Sequence, residues 1–153
     1  MGEFPNYIIW NMSYSIGDDL LDSQHKKIFN IINDLYLEIK QGATKKELRE
    51  IWERLVEYPK THFPAEEKIM KASQFPDLIK HQSVHQGYLT KIDISLPQLF
   101  QKEGDYSLDF LEFLKDWWKG HVMKLDLQIK PYILKMKKSG KDINLLDKES
   151  NYA

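Results

Sequence analysis

The sequence predicts an all-α protein, an up-down-up-down antiparallel four-helix bundle with an N-terminal arm. Three observations carry this expectation. Four stretches repeat their apolar residues at the three- and four-residue spacing of a single helix face. The connections between them are short and rich in capping and breaking residues, so consecutive helices are antiparallel neighbours. A chain of 153 residues suits one domain with a core of its own.

Residues 1–22 read as an irregular arm, punctuated by Pro5 and Gly17 and anchored by Tyr7, Ile8, Ile9, Trp10 and Tyr14. Its expected role is a strap over the helix ends. The first helix is expected to start near Asp22 or Ser23, either of which can cap it. Its stripe runs His25, Ile28, Phe29, Ile32, Leu35, Tyr36, Ile39, and Gly42 closes it. Thr44 opens the second helix, with Glu47 at capping-box spacing. That stripe is Leu48, Ile51, Trp52, Leu55, His62, Glu66, Ile69, Met70. Pro59 and Pro64 each remove a backbone donor, which predicts a kink or break near Tyr58.

Residues 72–76 form the next turn. The third helix carries Leu78, His81, His85, Tyr88, Ile92, Leu96 and Leu99, with Pro97 expected to bend or end it. Residues 101–106 connect to a fourth helix that Ser107 can cap. Its stripe is Leu111, Leu114, Trp118, His121, Leu125, Ile129, Tyr132, Met136, with a kink expected at Pro131. The domain is thus expected over residues 1–137, followed by a polar tail, 138–153, in which Leu145 and Leu146 could dock.

Composition narrows the function. Twenty-two basic and 23 acidic residues give a net charge of −1, without the basic excess of nucleic-acid binders. No apolar run is long enough for a membrane span, and no secretory signal opens the chain, so a cytoplasmic protein is expected. With no cysteine, any metal site must use nitrogen and oxygen donors.

The chain has only five histidines, and all of them fall on inward faces. His62 and Glu66 are four residues apart, as are His81 and His85, so each pair shares one helix face. Glu66 and Asp126 lie on or beside the same stripes. Buried carboxylates are costly unless paired or metal-bound. Seven such donors exceed one tetrahedral zinc and suit two metals sharing carboxylates. Imidazole-rich sites favour iron, copper, zinc or nickel over magnesium or calcium. His121 and Asp126 strain the pattern: five residues apart is about 140° around an ideal helix, so both point inward only with reach or a local bulge. Glu67, beside Glu66, is expected to be solvated.

The combination of HxxxE in THFPAEEKIM, HxxxH in KHQSVHQ, DSQHKKIF and WWKGHVMKLD resembles the hemerythrins, in particular the bacterial single-domain form, from about Trp10 to Met136. The resemblance implies a non-haem di-iron centre, oxo- or hydroxo-bridged, that binds O2 reversibly and takes small anions such as azide. It implies His81, His85 and His121 on one iron, His25 and His62 on the other, and Glu66 and Asp126 bridging both. The first iron would then be six-coordinate and the second five-coordinate, with one open position. The implied role is a monomeric O2 carrier, store or buffer and not an enzyme. An O2 or redox sensor, or a peroxide or nitric-oxide reductase, are the alternatives on the same site. Ferritin-like di-iron bundles use Glu-x-x-His motifs, and no histidine here has a glutamate three residues before it. One departure stands out: three residues before His121 the family usually has an aliphatic residue lining the O2 pocket, and this chain has Trp118. It is either a core-filling ring or a pocket wall that narrows ligand access. Trp10, Tyr14, Tyr88 and Trp117 are expected to be packing residues.

Overall fold

A computed structural model describes residues 7–101 and 107–140, without the side chains of residues 100 and 101. The first helix, α1, spans Asp19–Lys40, α2 spans Lys45–Ala72, and α3 spans Leu78–Gln101. The fourth begins as α4, Ser107–Gly120, passes through a π-helical turn at His121–Leu125 and a 3-10 turn at Asp126–Ile129, and ends as α5, Lys130–Lys138. Helix α1 packs on α2 and α4, and α2 packs on α3. These contacts form the expected all-α four-helix bundle. No helix among the described residues is long and apolar enough to cross a membrane.

The arm behaves as a strap. Asn33 clamps it to α1: its Oδ1 accepts from Ile8 N–H at 2.9 Å and its Nδ2 donates to Ile8 O at 2.8 Å. Tyr7 stacks on Tyr36, and Tyr14 meets Phe29 edge-on. The strap is shorter than expected, because α1 starts at Asp19 instead of Asp22 or Ser23. Gly17 takes φ +85°, and Asp18 then caps the helix by accepting from Leu21 N–H at 2.9 Å. Asp22 serves another purpose: its carboxylate accepts from Ser15 Oγ at 2.5 Å and Ile16 N–H at 2.9 Å, pinning the strap to the helix.

Thr44 caps α2 through Glu47 N–H, as its spacing implied. Beyond it α2 runs unbroken through Pro59 and Pro64, so of the kink or break expected near Tyr58 the break does not occur. Apolar anchors on both sides of each proline, from Leu55 to Ile69, are buried in one phase. Their packing outweighs the lost backbone donors. Likewise α3 continues past Pro97 to Gln101. Pro131 stands in the first turn of α5, where a missing N–H costs nothing. Residues 141–153, with Leu145 and Leu146, lie outside the described residues.

The apolar core has two parts. One gathers Ile28, Phe29, Trp52, Phe63, Tyr88, Leu114 and Trp118 among others. The other gathers Ile16, Leu21, Ile69, Met70, Phe75, Ile129, Ile133 and Met136. The histidines and buried carboxylates fall where these two parts meet, with His62 and His121 set among residues of the first.

Candidate metal centre

The bundle brings together all seven residues singled out from the sequence: His25 from α1, His62 and Glu66 from α2, His81 and His85 from α3, and His121 and Asp126 from the fourth helix. Each is at most 4% exposed, and His25, His62, Glu66 and Asp126 are fully buried. Regular α-helix suffices for the i, i+4 pairs of α2 and α3. The fourth helix needs the π turn. Asp126 N–H reaches back to His121 O, five residues earlier, which adds a residue to that turn. This places His121 and Asp126 on one face, with Nε2 of His121 3.1 Å from Asp126 Oδ1.

The donor atoms form two sets. Glu66, His81, His85, His121 and Asp126 each offer an atom within 4.8 Å of the others, and so do His25, His62, Glu66 and Asp126. Glu66 and Asp126 belong to both. Glu66 Oε2 lies 3.2 Å from His25 Nε2 and 3.3 Å from His62 Nε2, while its Oε1 lies 3.0 Å from His81 Nε2 and 3.1 Å from His85 Nε2. Asp126 divides in the same way, Oδ2 to His25 at 3.1 Å and Oδ1 to His81 at 3.0 Å.

These residues fit a metal. Both Asp126 oxygens and His62 Nε2 are buried without a hydrogen-bond partner, although imidazole nitrogens surround the carboxylate. His85 Nε2 and His121 Nε2 face each other at 3.1 Å. Ligand atoms at right angles on one ion, about 2.1 Å from it, stand about 3 Å apart. Orphaned buried polar atoms are costly, and a central cation removes the cost.

Protons on the imidazoles also compensate the carboxylates. Burial alone would push the His25 imidazolium down, but contact with Asp126 and Glu66 outweighs it and raises its pKa to about 10. The same balance raises His81 and His121 to about 9 each. Burial prevails at His62, whose pKa is lowered. Burial pushes Glu66 up, yet His121, His25 and His62 hold it well below the carboxylate range. Asp126 is likewise lowered: burial and the charge of Glu66 oppose ionisation, and His121 and His25 override them.

Partners of the outer imidazole nitrogens fix which nitrogen faces inward. His62 Nδ1–H donates to Gln24 Oε1 at 2.7 Å, and His85 Nδ1–H donates to Glu67 Oε2 at 3.1 Å. An oxygen can only accept there, so Nε2 keeps its lone pair for the interior. Sequence reasoning missed Gln24; its position beside His25, one residue off the apolar stripe, gave no signal. It also expected Glu67 to be solvated, whereas that side chain is only 22% exposed and is paired with His85. Trp117 does more than pack within the core: it stacks on His121 at 4.5 Å between centroids and 10° between planes. Phe63 stacks on His85 at 3.9 Å. Trp118 is fully buried, donates its indole N–H to Tyr88 OH at 2.9 Å, and lies 6.1 Å from the His62 ring. Burial pushes the Tyr88 phenol pKa up, so the hydroxyl stays intact as that acceptor.

Fold and site together define a helical-bundle domain built around a buried cation-binding cluster. Residues 16–133 match the family described as the hemerythrin HHE cation binding domain, and the chain belongs to this family. It is 25% identical over 122 residues to a bacteriohemerythrin of Clostridium acetobutylicum, covering 77% of this chain and 95% of that protein. Identity to myohemerythrin-1 of Phascolopsis gouldii is also 25%, over 84% of this chain and 96% of the relative. Crystal structures of leucine-to-tyrosine and leucine-to-alanine variants of hemerythrin share the fold, with TM-scores of 0.76 and 0.75. At 23% identity each covers 84% of this chain and 98% of its own.

Proposed function

We propose that this chain binds O2 reversibly at a non-haem di-iron centre and serves as an O2 carrier, store or buffer. The observation that carries the proposal is the pair of donor sets sharing Glu66 and Asp126, one with three imidazoles and the other with two. His81, His85 and His121 would hold one iron, His25 and His62 the other, and Glu66 and Asp126 would bridge them. Such a centre supplies reversible electron exchange with O2 at the position that the smaller donor set leaves open.

The protein's own contribution is orientation and exclusion of water. Gln24 and Glu67 keep the Nδ1 protons of His62 and His85 outward, so both Nε2 atoms point inward. Phe63 stacks on His85 and Trp117 on His121, and Trp118 stacks behind Phe63 on the side of the larger core. A dry wall slows escape of reduced oxygen species as ions, which favours binding over turnover and so a carrier over an enzyme. Trp118, 6.1 Å from the His62 ring, would narrow access to that side. One chain supplies every donor, which supports a monomer.

The test is iron content and the visible spectrum of protein purified in air, repeated with azide. Two irons per chain, with bridge-to-iron and azide-to-iron charge-transfer bands, are expected. Dithionite reduction followed by O2 should restore the oxygenated spectrum over repeated cycles. One zinc, or no restorable metal, would overturn the reading. Sustained consumption of O2, peroxide or nitric oxide with a reductant would assign an enzyme instead.

A further inference from the structure

Two of the five imidazoles hand their outer proton to a side chain, and the two acceptors differ in charge. His62 donates to the neutral amide of Gln24, which is 9% exposed. His85 donates to the carboxylate of Glu67, which is 22% exposed. The two histidines belong to different donor sets. Neither Gln24 nor Glu67 belongs to either set.

A groove of about 450 Å³ between α2 and α3 explains how Glu67 can carry charge there. Lys60, Pro64, Gln82 and Gln86 line it, Glu67 forms part of its wall, and His85 lies at its inner edge. Water in the groove screens the carboxylate on its outer side, while its Oε2 faces the imidazole. Gln24 lies on the interior side of α1, where a charge would be desolvated.

We infer that Glu67 and Gln24 are positioning residues that make the two metal positions unequal: the carboxylate behind His85 strengthens that imidazole as a donor, and the amide behind His62 does not. A carboxylate accepting the outer N–H of a liganding imidazole raises the basicity of the inner nitrogen; an amide oxygen fixes the ring without that gain. The position served by His85 therefore holds its cation harder and favours the more highly charged state. The inference rests on the two-metal reading above, but its own test needs neither iron nor O2.

The experiment is titration of metal-free protein with cobalt(II), followed by its visible absorption, on wild type, Glu67→Gln and Glu67→Leu. Glu67→Gln keeps the shape and an acceptor for His85 Nδ1–H but removes the charge. Its position on the wall of an open groove makes it a mild change for the fold. Wild type is expected to fill in two steps of unequal affinity. Glu67→Gln should weaken one step by about 10- to 100-fold, the usual effect of losing such a partner, and leave the other in place. Glu67→Leu should weaken the same step at least as much.

If Glu67→Gln matches wild type and only Glu67→Leu falls, the hydrogen-bond acceptor matters and its charge does not, and the charge argument is overturned. Equal loss in both steps overturns it as well, since the effect is then not local to one position. Failure of the two-metal reading looks different: wild type itself would take a single cobalt, and the inequality would fall with it. A wild type with two cations and an unmoved Glu67→Gln would sink this inference alone.

Discussion

On one side of the cluster His62 gives its Nδ1 proton to an amide in the interior; on the other, His85 gives its proton to a carboxylate at the edge of a groove. The first half has two imidazoles, His25 and His62, both fully buried, with Trp118 6.1 Å from the His62 ring. The second has three, from α3 and the π turn, backed by Phe63 and Trp117. The difference follows from where water reaches. A charged partner is tolerable beside a groove and costly inside a closed core, so each histidine has the acceptor its surroundings allow. The half with fewer donors is also the more enclosed. A small neutral molecule could enter there, whereas ions would pay to desolvate.

The sharpest way to break the comparison is to remove what the halves share. Glu66→Ala takes a donor from both sets and should abolish stable metal binding at both positions, measured as metal per chain after gel filtration. His62→Ala and His85→Ala, by contrast, should each leave close to one metal per chain. Equal losses in all three variants would mean that the cluster binds as one unit and has no halves.

Proton release sharpens the contrast. Metal-free His81 and His121 have pKa values raised to about 9, and His25 to about 10, so at pH 7 a cation must displace their protons. Metal affinity should therefore rise with pH between 7 and 9. The three-imidazole half should release more protons than the other, readable by calorimetry in buffers of different ionisation heat. For the metal-free fold the sign is opposite. A histidine whose folded pKa exceeds its unfolded value of about 6.5 stabilises fully below that pH and loses its contribution as pH rises through the folded pKa. The lowered Glu66 and Asp126 act at the other end, stabilising above about pH 4 and losing that contribution on acidification. The thermal midpoint of metal-free protein should fall both above pH 9 and below pH 4.

Trp118→Leu should act mainly on access to the two-imidazole half. It opens space beside His62 and removes the donor to Tyr88 OH. Azide binding to loaded protein should accelerate, with cation stoichiometry unchanged. The stability loss should be below the about 3–5 kcal/mol of a buried tryptophan cut to alanine. Unchanged azide kinetics would reduce Trp118 to core filling. Tyr88→Phe is the mildest change. It leaves Trp118 Nε1 buried without an acceptor, at about 1–3 kcal/mol, and should leave the metal steps untouched.

The sequence by itself determined the helices and set the five histidines and Glu66 on inward faces, because these depend on periodicity; Asp126 joined the candidate donors only through the resemblance to the hemerythrins. Helical spacing put His62 with Glu66 and His81 with His85 on inward faces, and five histidines with no cysteine left a nitrogen-and-oxygen site. Between His121 and Asp126 the spacing left reach or a bulge open, and the π turn supplies the bulge. Periodicity failed where packing outweighed local preference. Pro59, Pro64 and Pro97 read as breakers, yet their helices continue because buried anchors hold both sides in phase. It failed also one residue off the stripe. Gln24 carried no signal, and Glu67 looked like a solvent-facing neighbour of Glu66. Only the closing of α1 and α3 onto α2 decided that these side chains meet His62 and His85, because such contacts join residues 38 and 18 positions apart and leave no local pattern in the chain.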